Sequence, residues 1–244
     1  MQKKKVGIIG GMGARAGMLL LKHVIEKSPA KTDQEFLEIV LHSNSVIPDR
    51  TRAILYNEPS PLPELLRSVA LLNAQGVDLI VSACVTSYYY YEAMQLHSRA
   101  QLLHPVRLVA RHILNTYGRR ARVGILATSG TIQTGLFQDV LAREEISYVV
   151  LPPALQEDGF MQSVYMENGL KSAVICQNAK DRFFACIHYL KEQGVDVIIG
   201  GCTEVAIMAD EVGPATPLIN VLEVLAQEVV NQSYQEELVP SAAY

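Results

Sequence analysis

The chain has 244 residues, of which 49% are hydrophobic and 19% charged, and its formal net charge is -4. This composition is typical of a soluble globular protein with one or two domains, and it excludes an intrinsically disordered chain. The 21 lysines and arginines are mostly scattered, and no stretch approaches the roughly 18 uninterrupted apolar residues of a membrane helix. We therefore expect neither nucleic acid nor a membrane as a partner.

The N-terminal segment and the cysteines indicate where the protein works. Residues 6–13, which follow a short basic start, are half glycine and do not resemble the apolar core of a signal peptide. We therefore expect a cytoplasmic protein, in which the four cysteines are free thiols rather than a disulfide framework. Their spacing contains no Cys-x-x-Cys or His-rich pattern, so no metal site is predicted. The cysteines are Cys84, Cys176, Cys186 and Cys202.

The first half of the chain has the pattern of successive βα units. A buried strand at 6–9 runs into a glycine-rich turn at 10–13, and a helix is predicted from about 17 to 27. A strand at 36–41, a long loop at 42–63, a helix at 65–74 and a strand at 77–83 follow. Helices are then predicted at 92–99 and 106–117. Cys84 stands at the carboxyl end of the strand at 77–83.

The second half repeats the first at an offset of 117 to 118 residues. The strand at 123–126 and its small-residue turn at 127–131 repeat the first strand and turn. After a helix at 183–192, residues 193–202 align with residues 75–84 without a gap. We interpret this as an internal duplication, the alternative being that any two βα units look alike.

The duplication predicts an α/β protein with two parallel-sheet lobes, pseudo-two-fold symmetry and a cleft between the lobes. Residues 1–105 and about 220–232 are expected to form the first lobe with Cys84, and residues 106–219 the second with Cys202. Residues 233–244 are predicted to be a disordered tail. Because ligands bind at the carboxyl ends of parallel strands, both cysteines are expected at the cleft.

Two such thiols suit reversible proton transfer at carbon. One thiolate removes a proton, while the other residue, as thiol, delivers one to the opposite face. The helix that follows Cys202 is expected to favour its thiolate through the helix dipole. Donors for an enolate-like intermediate are expected from threonines and backbone N–H groups. Cys176 and Cys186 have no equivalent partners, and we expect them to fill the core.

Four segments carry a resemblance to a known family. They are Gly-Ile-Ile-Gly-Gly-Met-Gly at 7–13, Ile-Pro-Asp-Arg-Thr at 47–51, Ala-Thr-Ser-Gly-Thr at 127–131 and Gly-Cys-Thr-Glu at 201–204. Together they resemble the aspartate/glutamate racemase family, in particular its aspartate racemase branch, up to about residue 230. The resemblance implies a homodimeric amino-acid racemase that uses no cofactor and acts on a small-molecule carboxylate, namely aspartate or glutamate.

The resemblance also implies roles for individual residues. The catalytic pair of the family falls on Cys84 and Cys202, and the arginine that reads the side-chain carboxylate of the substrate falls on Arg50. A family lysine near a Tyr-x-Glu segment falls on Lys171 if a gap is allowed. The predicted substrate-binding residues are Met12, Arg50, Val85, Thr86, Thr128, Thr131, Lys171, Thr203 and Glu204.

The chain departs from the family around the first cysteine. The usual Pro-Cys-Asn-Thr, followed by a small residue and a histidine, is here Ala-Cys-Val-Thr-Ser-Tyr at 83–88. Val85 thus replaces an amide whose loss costs about 1 to 3 kcal/mol of carboxylate recognition if nothing replaces it. Tyr88 replaces the histidine and begins a run of four tyrosines, of which at most one or two are expected to face the cleft.

Other functions remain compatible with the sequence. Related cysteine enzymes on the same scaffold include hydantoin racemases, arylmalonate decarboxylases and maleate isomerases, and a member that binds its ligand without turnover is a further alternative. A dinucleotide-binding oxidoreductase is suggested by Gly11, Gly13 and Gly17 after a strand, with Glu38 about twenty residues on. That pattern leaves the duplicated cysteines unexplained.

Overall fold

The computed structural model describes residues 3–213 and 216–234. Within these residues, two parallel sheets of four strands each lie in the two halves of the chain. The strands are β1 (Val6–Gly10), β2 (Ile39–Ser43), β3 (Leu79–Ser82), β4 (Gln101–Leu102), β5 (Arg122–Leu126), β6 (Ser147–Val150), β7 (Val197–Gly200) and β8 (Leu218–Asn220). Their order is β2-β1-β3-β4 in the first sheet and β6-β5-β7-β8 in the second.

Helices flank both sheets. They are α1 (Ala14–Lys27), α2 (Arg50–Tyr56), α3 (Leu62–Ala74), α4 (Tyr91–His97), α5 (Pro105–Thr116), α6 (Ser129–Gln133), α7 (Leu136–Arg143), α8 (Gln162–Tyr165), α9 (Gln177–Glu192), α10 (Thr203–Val212) and α11 (Val221–Ser233). The described residues also contain three other helical segments, which are a 3-10 turn at Asp33–Glu35, a 3-10 helix at Val85–Tyr90 and a π-helix at Leu155–Met161. In the described part of the chain, no helix is long and apolar enough to cross a membrane.

The predicted fold class is confirmed. The two sheets have the same strand order, and their equivalent strands β3 and β7 occupy positions 118 residues apart. Both strands are wholly buried, as is expected for parallel strands that are covered on both faces. Both lobes therefore present the carboxyl ends of their strands in the same way, and a cysteine follows each of β3 and β7 after one intervening residue.

Helix α11 joins the two cores. Leu225 and Val229 pack into the core of the first lobe, whereas Val221 and Val224 pack against the core of the second. The helix contacts both α1 and α5. It continues through Ser233, one residue into the segment predicted as a tail, while residues 235–244 lie outside the described part.

The prediction of a continuous loop at 42–63 is wrong, because the structure has a helix within this segment and the start of a second helix at its end. Helix α2 forms at residues 50–56 because the Asp49 carboxylate accepts a hydrogen bond from the Arg52 backbone N–H at 3.0 Å and caps its first turn. Helix α3 already begins at Leu62, after Pro61, three residues earlier than predicted. The capping at Asp49 matters for function because it fixes where Arg50 stands.

Several other boundaries also differ from the predicted ones. Strand β2 occupies 39–43 rather than 36–41, because Phe36 still closes a 3-10 turn. Helix α1 begins at 14 and includes Gly17, where an added Cβ would lie 3.2 Å from the Gly10 Cα. Glycine inside this helix therefore allows close packing onto β1. Helix α4 begins at Tyr91, so the tyrosine run spans a 3-10 helix and the start of an α-helix.

The two cysteines outside the duplication have different surroundings. Cys186 is fully buried within α9 and belongs to the core of the second lobe, as predicted. Cys176 is only partly buried and stands at the N-cap of α9, so its predicted core role is wrong. The reason is that α9 begins at residue 177, so Cys176 lies before its first turn and outside its buried face.

Candidate active site

One cavity between the lobes contains both cysteines of the duplicated pair. Its free volume is small, about 10 Å³. The first lobe contributes Met12, Arg50, Thr51, Cys84, Val85 and Thr86, and the second contributes Thr128, Tyr165, Lys171, Cys202, Thr203 and Glu204. The structure therefore brings together every predicted site residue except Thr131, and it adds Thr51 and Tyr165.

The strand ends place the two thiols. Cys84 follows β3 and precedes the 3-10 helix at 85–90, and Cys202 follows β7 and is the N-cap of α10. Both residues have extended backbones and are buried, with 6% and 5% of their surface exposed. Two thiols held by rigid strand ends, one from each lobe, suit chemistry on opposite faces of a small ligand.

A cluster of threonine hydroxyls joins the lobes beside the cavity. Thr86 of the first lobe lies 2.8 Å from Thr131 Oγ1 and 3.1 Å from Thr128 Oγ1 of the second. Thr131 is fully buried and does not line the cavity, and its predicted contact with substrate stays a prediction. Its hydroxyl holds Thr86 against the second lobe.

Arg50 enters the cavity from the first turn of α2. Its guanidinium donates hydrogen bonds to Pro48 O at 3.0 Å and to Met12 O at 3.3 Å. The buried Nε–H has no hydrogen-bond partner among the described residues. Burial works against the charge, but nearby Cys84 and Asp49 outweigh it and raise the pKa of Arg50. Arg50 is thus a permanent cation beside one thiol, with a donor left for a ligand.

Asp49 links the two lobes at the mouth of this cavity. Its Oδ2 accepts hydrogen bonds from the Tyr165 hydroxyl at 2.9 Å and from Lys171 Nζ at 3.1 Å. Lys171 Nζ also lies 3.9 Å from the centre of the Tyr165 ring. Burial raises the pKa of Tyr165 to about 12, so this residue stays a donor. Lys171 therefore reaches the site, although sequence spacing placed it only with a gap.

The charge around Cys202 differs from the sequence-based expectation. Burial, followed by the nearby Glu204 carboxylate, raises the pKa of Cys202 well above that of an ordinary thiol. The hydrogen bonds from the backbone at the start of α10 act in the opposite direction, but they do not outweigh these effects. The start of the helix therefore acts in the expected direction, but it does not make Cys202 a thiolate. Cys202 is a thiol here.

Replacing Glu204 with glutamine should lower the pKa of Cys202, because one like charge beside the thiolate is removed. The measurement is the pH dependence of iodoacetamide alkylation at Cys202, followed by mass spectrometry. Trypsin places the four cysteines on four different peptides, so Cys176 serves as an internal control. An unchanged profile at Cys202 would show that burial alone sets its pKa.

Val85 and the tyrosine run define the altered side of the cavity. Val85 lines the cavity and also packs into the core of the second lobe. Tyr88 is fully buried away from the cavity, and its hydroxyl accepts a hydrogen bond from the Ser82 N–H at 2.9 Å. Tyr89 is 54% exposed. None of the four tyrosines at 88–91 lines the cavity, so the residue at the usual histidine position supports the fold.

Residues 3–213 and 216–234 contain no group of three or more histidine, cysteine, aspartate or glutamate side chains that could hold a metal ion. The charged residues that line the cavity are Arg50, Lys171 and Glu204, and Asp49 pairs with Lys171 beside it. This arrangement provides opposite charges for a small zwitterionic or acidic ligand between two thiols.

The comparisons with known proteins agree with this geometry. Residues 9–229 match the family described as Asp/Glu/Hydantoin racemase. The chain is 25% identical over 233 residues to the broad specificity amino-acid racemase RacX of Bacillus subtilis strain 168, covering 93% of this chain and 96% of RacX. It is 27% identical over 195 residues to the glutamate racemase of Corynebacterium kroppenstedtii, covering 74% and 63% of the two chains.

Solved structures support the fold. The aspartate racemase of Picrophilus torridus superposes with a TM-score of 0.79 at 24% identity over 94% of each chain. The glutamate racemase of Francisella tularensis, solved with D-glutamate, superposes with a TM-score of 0.67 at 16% identity, covering 95% of this chain and 81% of that one. The family match, which extends over most of the chain, confirms the resemblance seen in the sequence motifs. The chain belongs to the Asp/Glu/hydantoin racemase family.

Proposed function

We propose that the protein racemises an α-amino acid without a cofactor, by proton transfer between Cys84 and Cys202. The observation that carries this proposal is that equivalent strand ends of two duplicated lobes bring two buried thiols to one small cavity. Neither of the other two cysteines lies there. Membership of a racemase family supports the same reaction.

In the proposed reaction, one cysteine as thiolate removes the α-proton, and the electron pair of the broken C–H bond moves toward the substrate carboxylate. The other cysteine as thiol then gives its proton to the opposite face of the α-carbon. The product is the mirror-image amino acid, and the two sulfurs have exchanged protonation states. Proton exchange with solvent resets the pair.

The surroundings of the two thiols differ. The Arg50 cation lies beside Cys84, whereas the Glu204 carboxylate lies beside Cys202. Glu204 and burial keep the proton on Cys202. We therefore assign Cys202 as the acid, which leaves the role of the base to Cys84 for the enantiomer whose α-hydrogen faces it.

For the substrate we propose an acidic amino acid, aspartate or glutamate. The unpartnered Nε–H of Arg50 provides a buried, charge-assisted donor for a side-chain carboxylate. Lys171 contributes less free charge because Asp49 already pairs with it. Thr51, Thr86, Thr128 and Thr203 surround the remaining space with hydroxyls that can hold the α-carboxylate.

A broader amino-acid specificity is the second candidate, and Val85 is the observation that favours it. This residue presents an apolar wall to the cavity beside Cys84. An apolar wall accepts neutral side chains and offers no hydrogen bond that selects for a carboxylate. The relative from Bacillus subtilis is itself described as having broad specificity.

The test is incorporation of deuterium at the α-carbon in heavy water, followed by proton NMR. The panel contains both enantiomers of aspartate, glutamate, alanine and lysine, together with a hydantoin and a malonate. We expect exchange with aspartate or glutamate, and none with a Cys84→Ala/Cys202→Ala double variant. Exchange confined to the hydantoin or malonate, or absent from every compound, would contradict the proposal. Equal exchange with all four amino acids would favour broad specificity.

A further inference from the structure

The main chain of Cys84 is enclosed by two serine hydroxyls. The Cys84 N–H donates to Ser82 Oγ at 3.4 Å, and Ser87 Oγ donates to the Cys84 carbonyl at 2.6 Å. The two hydroxyl oxygens lie 2.8 Å apart. Ser82, Cys84 and Ser87 are all buried. Both polar main-chain groups of the cysteine thus hydrogen-bond to one connected pair of side chains.

This ring of hydrogen bonds has a single direction. A hydroxyl has one hydrogen to donate. Ser87 uses its hydrogen on the Cys84 carbonyl, so the contact between the two hydroxyls must be a donation from Ser82 to Ser87. The chain of donors therefore runs from the Cys84 N–H through Ser82 and Ser87 back to the Cys84 carbonyl. Each hydroxyl in it both accepts and donates.

The duplicated cysteine has no such ring. The positions 118 residues beyond Ser82 and Ser87 are Gly200 and Val205, which have no hydroxyl. Cys202 instead begins the ten-residue helix α10, whereas Cys84 begins a six-residue 3-10 helix. Hydrogen bonds in 3-10 helices have poorer geometry than those in α-helices. The serines thus supply at Cys84 the anchoring that a regular helix supplies at Cys202.

Tyr88 extends the same anchoring to the strand. Strand β4 has two residues, and its last pairing with β3 is between Ile80 and Leu102, so it ends before it reaches Ser82. The Tyr88 hydroxyl accepts from the Ser82 N–H at 2.9 Å and donates to the Ser82 carbonyl at 3.4 Å. The side chain thereby takes the place of a missing strand partner directly behind the serine ring.

We propose that Ser87, acting with Ser82, is a positioning residue that fixes the direction of the Cys84 thiol for proton transfer. The proposal rests on the proposed function in one respect, since it assumes that Cys84 exchanges protons with a substrate carbon. A ring that fixes both the N–H and the carbonyl of one residue restricts its two backbone dihedral angles. Those angles set the direction of the Cα–Cβ bond, and the sulfur then takes its place within the few staggered χ1 rotamers of the side chain.

The test compares Ser87→Ala with Ser68→Ala. Ser68 is an equally buried serine of the first lobe whose hydroxyl also makes two hydrogen bonds, to Glu64 O and with Asn44, outside the cavity. Each substitution is introduced into a Cys202→Ala background, where Cys84 alone exchanges the α-proton of one enantiomer, and into a Cys84→Ala background. Exchange into aspartate in heavy water is measured by NMR.

We expect Ser87→Ala to slow exchange by Cys84 about tenfold or more, because small displacements of a reacting group have large effects on rate. The loss should be confined to the Cys202→Ala background, and Ser68→Ala should not reproduce it. Equal slowing in both backgrounds, or equal effects of the two serine substitutions, would overturn the proposal in favour of a general loss of stability.

A second measurement does not depend on turnover. Amide hydrogen exchange of the peptide that contains residues 84–90 is compared in the wild-type protein and the Ser87→Ala variant. We expect about tenfold faster exchange there and no change in the peptide that contains Cys202. Absence of α-proton exchange in the wild-type protein would refute the proposed function, whereas unchanged amide exchange at 84–90 would refute the anchoring role of Ser87.

Discussion

Replacement of either Cys84 or Cys202 with alanine should reduce racemisation by about 10² to 10⁴-fold, the usual contribution of a positioned acid or base. Racemisation needs a proton to leave one face of the α-carbon and another to arrive at the opposite face. Each single variant lacks one of these two partners. The rate is followed by circular dichroism of the purified enantiomers of aspartate and glutamate.

The two single variants should also fail in different ways. Each retains one thiol, and each should therefore exchange the α-proton of only one enantiomer, with retention of configuration. Cys176→Ala is the matched control, because this cysteine is partly exposed at the N-cap of α9 and does not line the cavity. Full racemisation by either Cys84→Ala or Cys202→Ala would contradict the two-thiol mechanism.

The duplication made most of the fold and the two central residues predictable. Strands β3 and β7 have the same length and the same relation to the following cysteine, so the sequence repeat placed both thiols before any tertiary contact was known. The helix at 50–56 was missed because the segment is rich in polar residues and proline. Its signal was the aspartate at 49, which caps the helix from a position directly before it.

Contacts between distant segments could not be predicted in the same way. Asp49 and Lys171 are 122 residues apart, and no local pattern reports that they meet across the cavity. Thr131 was expected to contact substrate because it shares a turn with Thr128. In the structure both hydroxyls lie within hydrogen-bond distance of Thr86, but of the two residues only Thr128 lines the cavity. Side-chain direction within a turn depends on backbone angles that the spacing does not reveal.

The protonation state of Cys202 depends on the relative sizes of the helix-terminus effect and of the effects of burial and a like charge. A charge at a helix terminus gains typically 0.3 to 1 kcal/mol, which is less than one pKa unit. Full burial shifts the pKa of an ionisable group by up to 3 to 5 units, and a like charge adds to it. The helix argument had the correct sign for Cys202, but burial and Glu204 both oppose it and are larger.

Arg50→Lys should lower the catalytic efficiency on aspartate by about 10- to 100-fold, the equivalent of one charged hydrogen bond. Lysine keeps the positive charge but lacks the planar fork that binds Met12 O and Pro48 O while leaving the Nε–H for a ligand. The measurement is steady-state kinetics with aspartate and alanine. The loss should be larger for aspartate, because only aspartate has a side-chain carboxylate.

Arg52→Lys provides the matched control for this prediction. Arg52 lies two residues further along α2, pairs with Glu58 at the surface and does not line the cavity. Its replacement should leave the catalytic efficiency within about twofold of the wild-type value, since surface ion pairs contribute little. An equal loss for aspartate and alanine in Arg50→Lys would mean that Arg50 acts on Cys84 or on the α-carboxylate of the substrate. These two contacts are the same for every amino acid. Specificity would then have to arise on the side of the cavity formed by Val85.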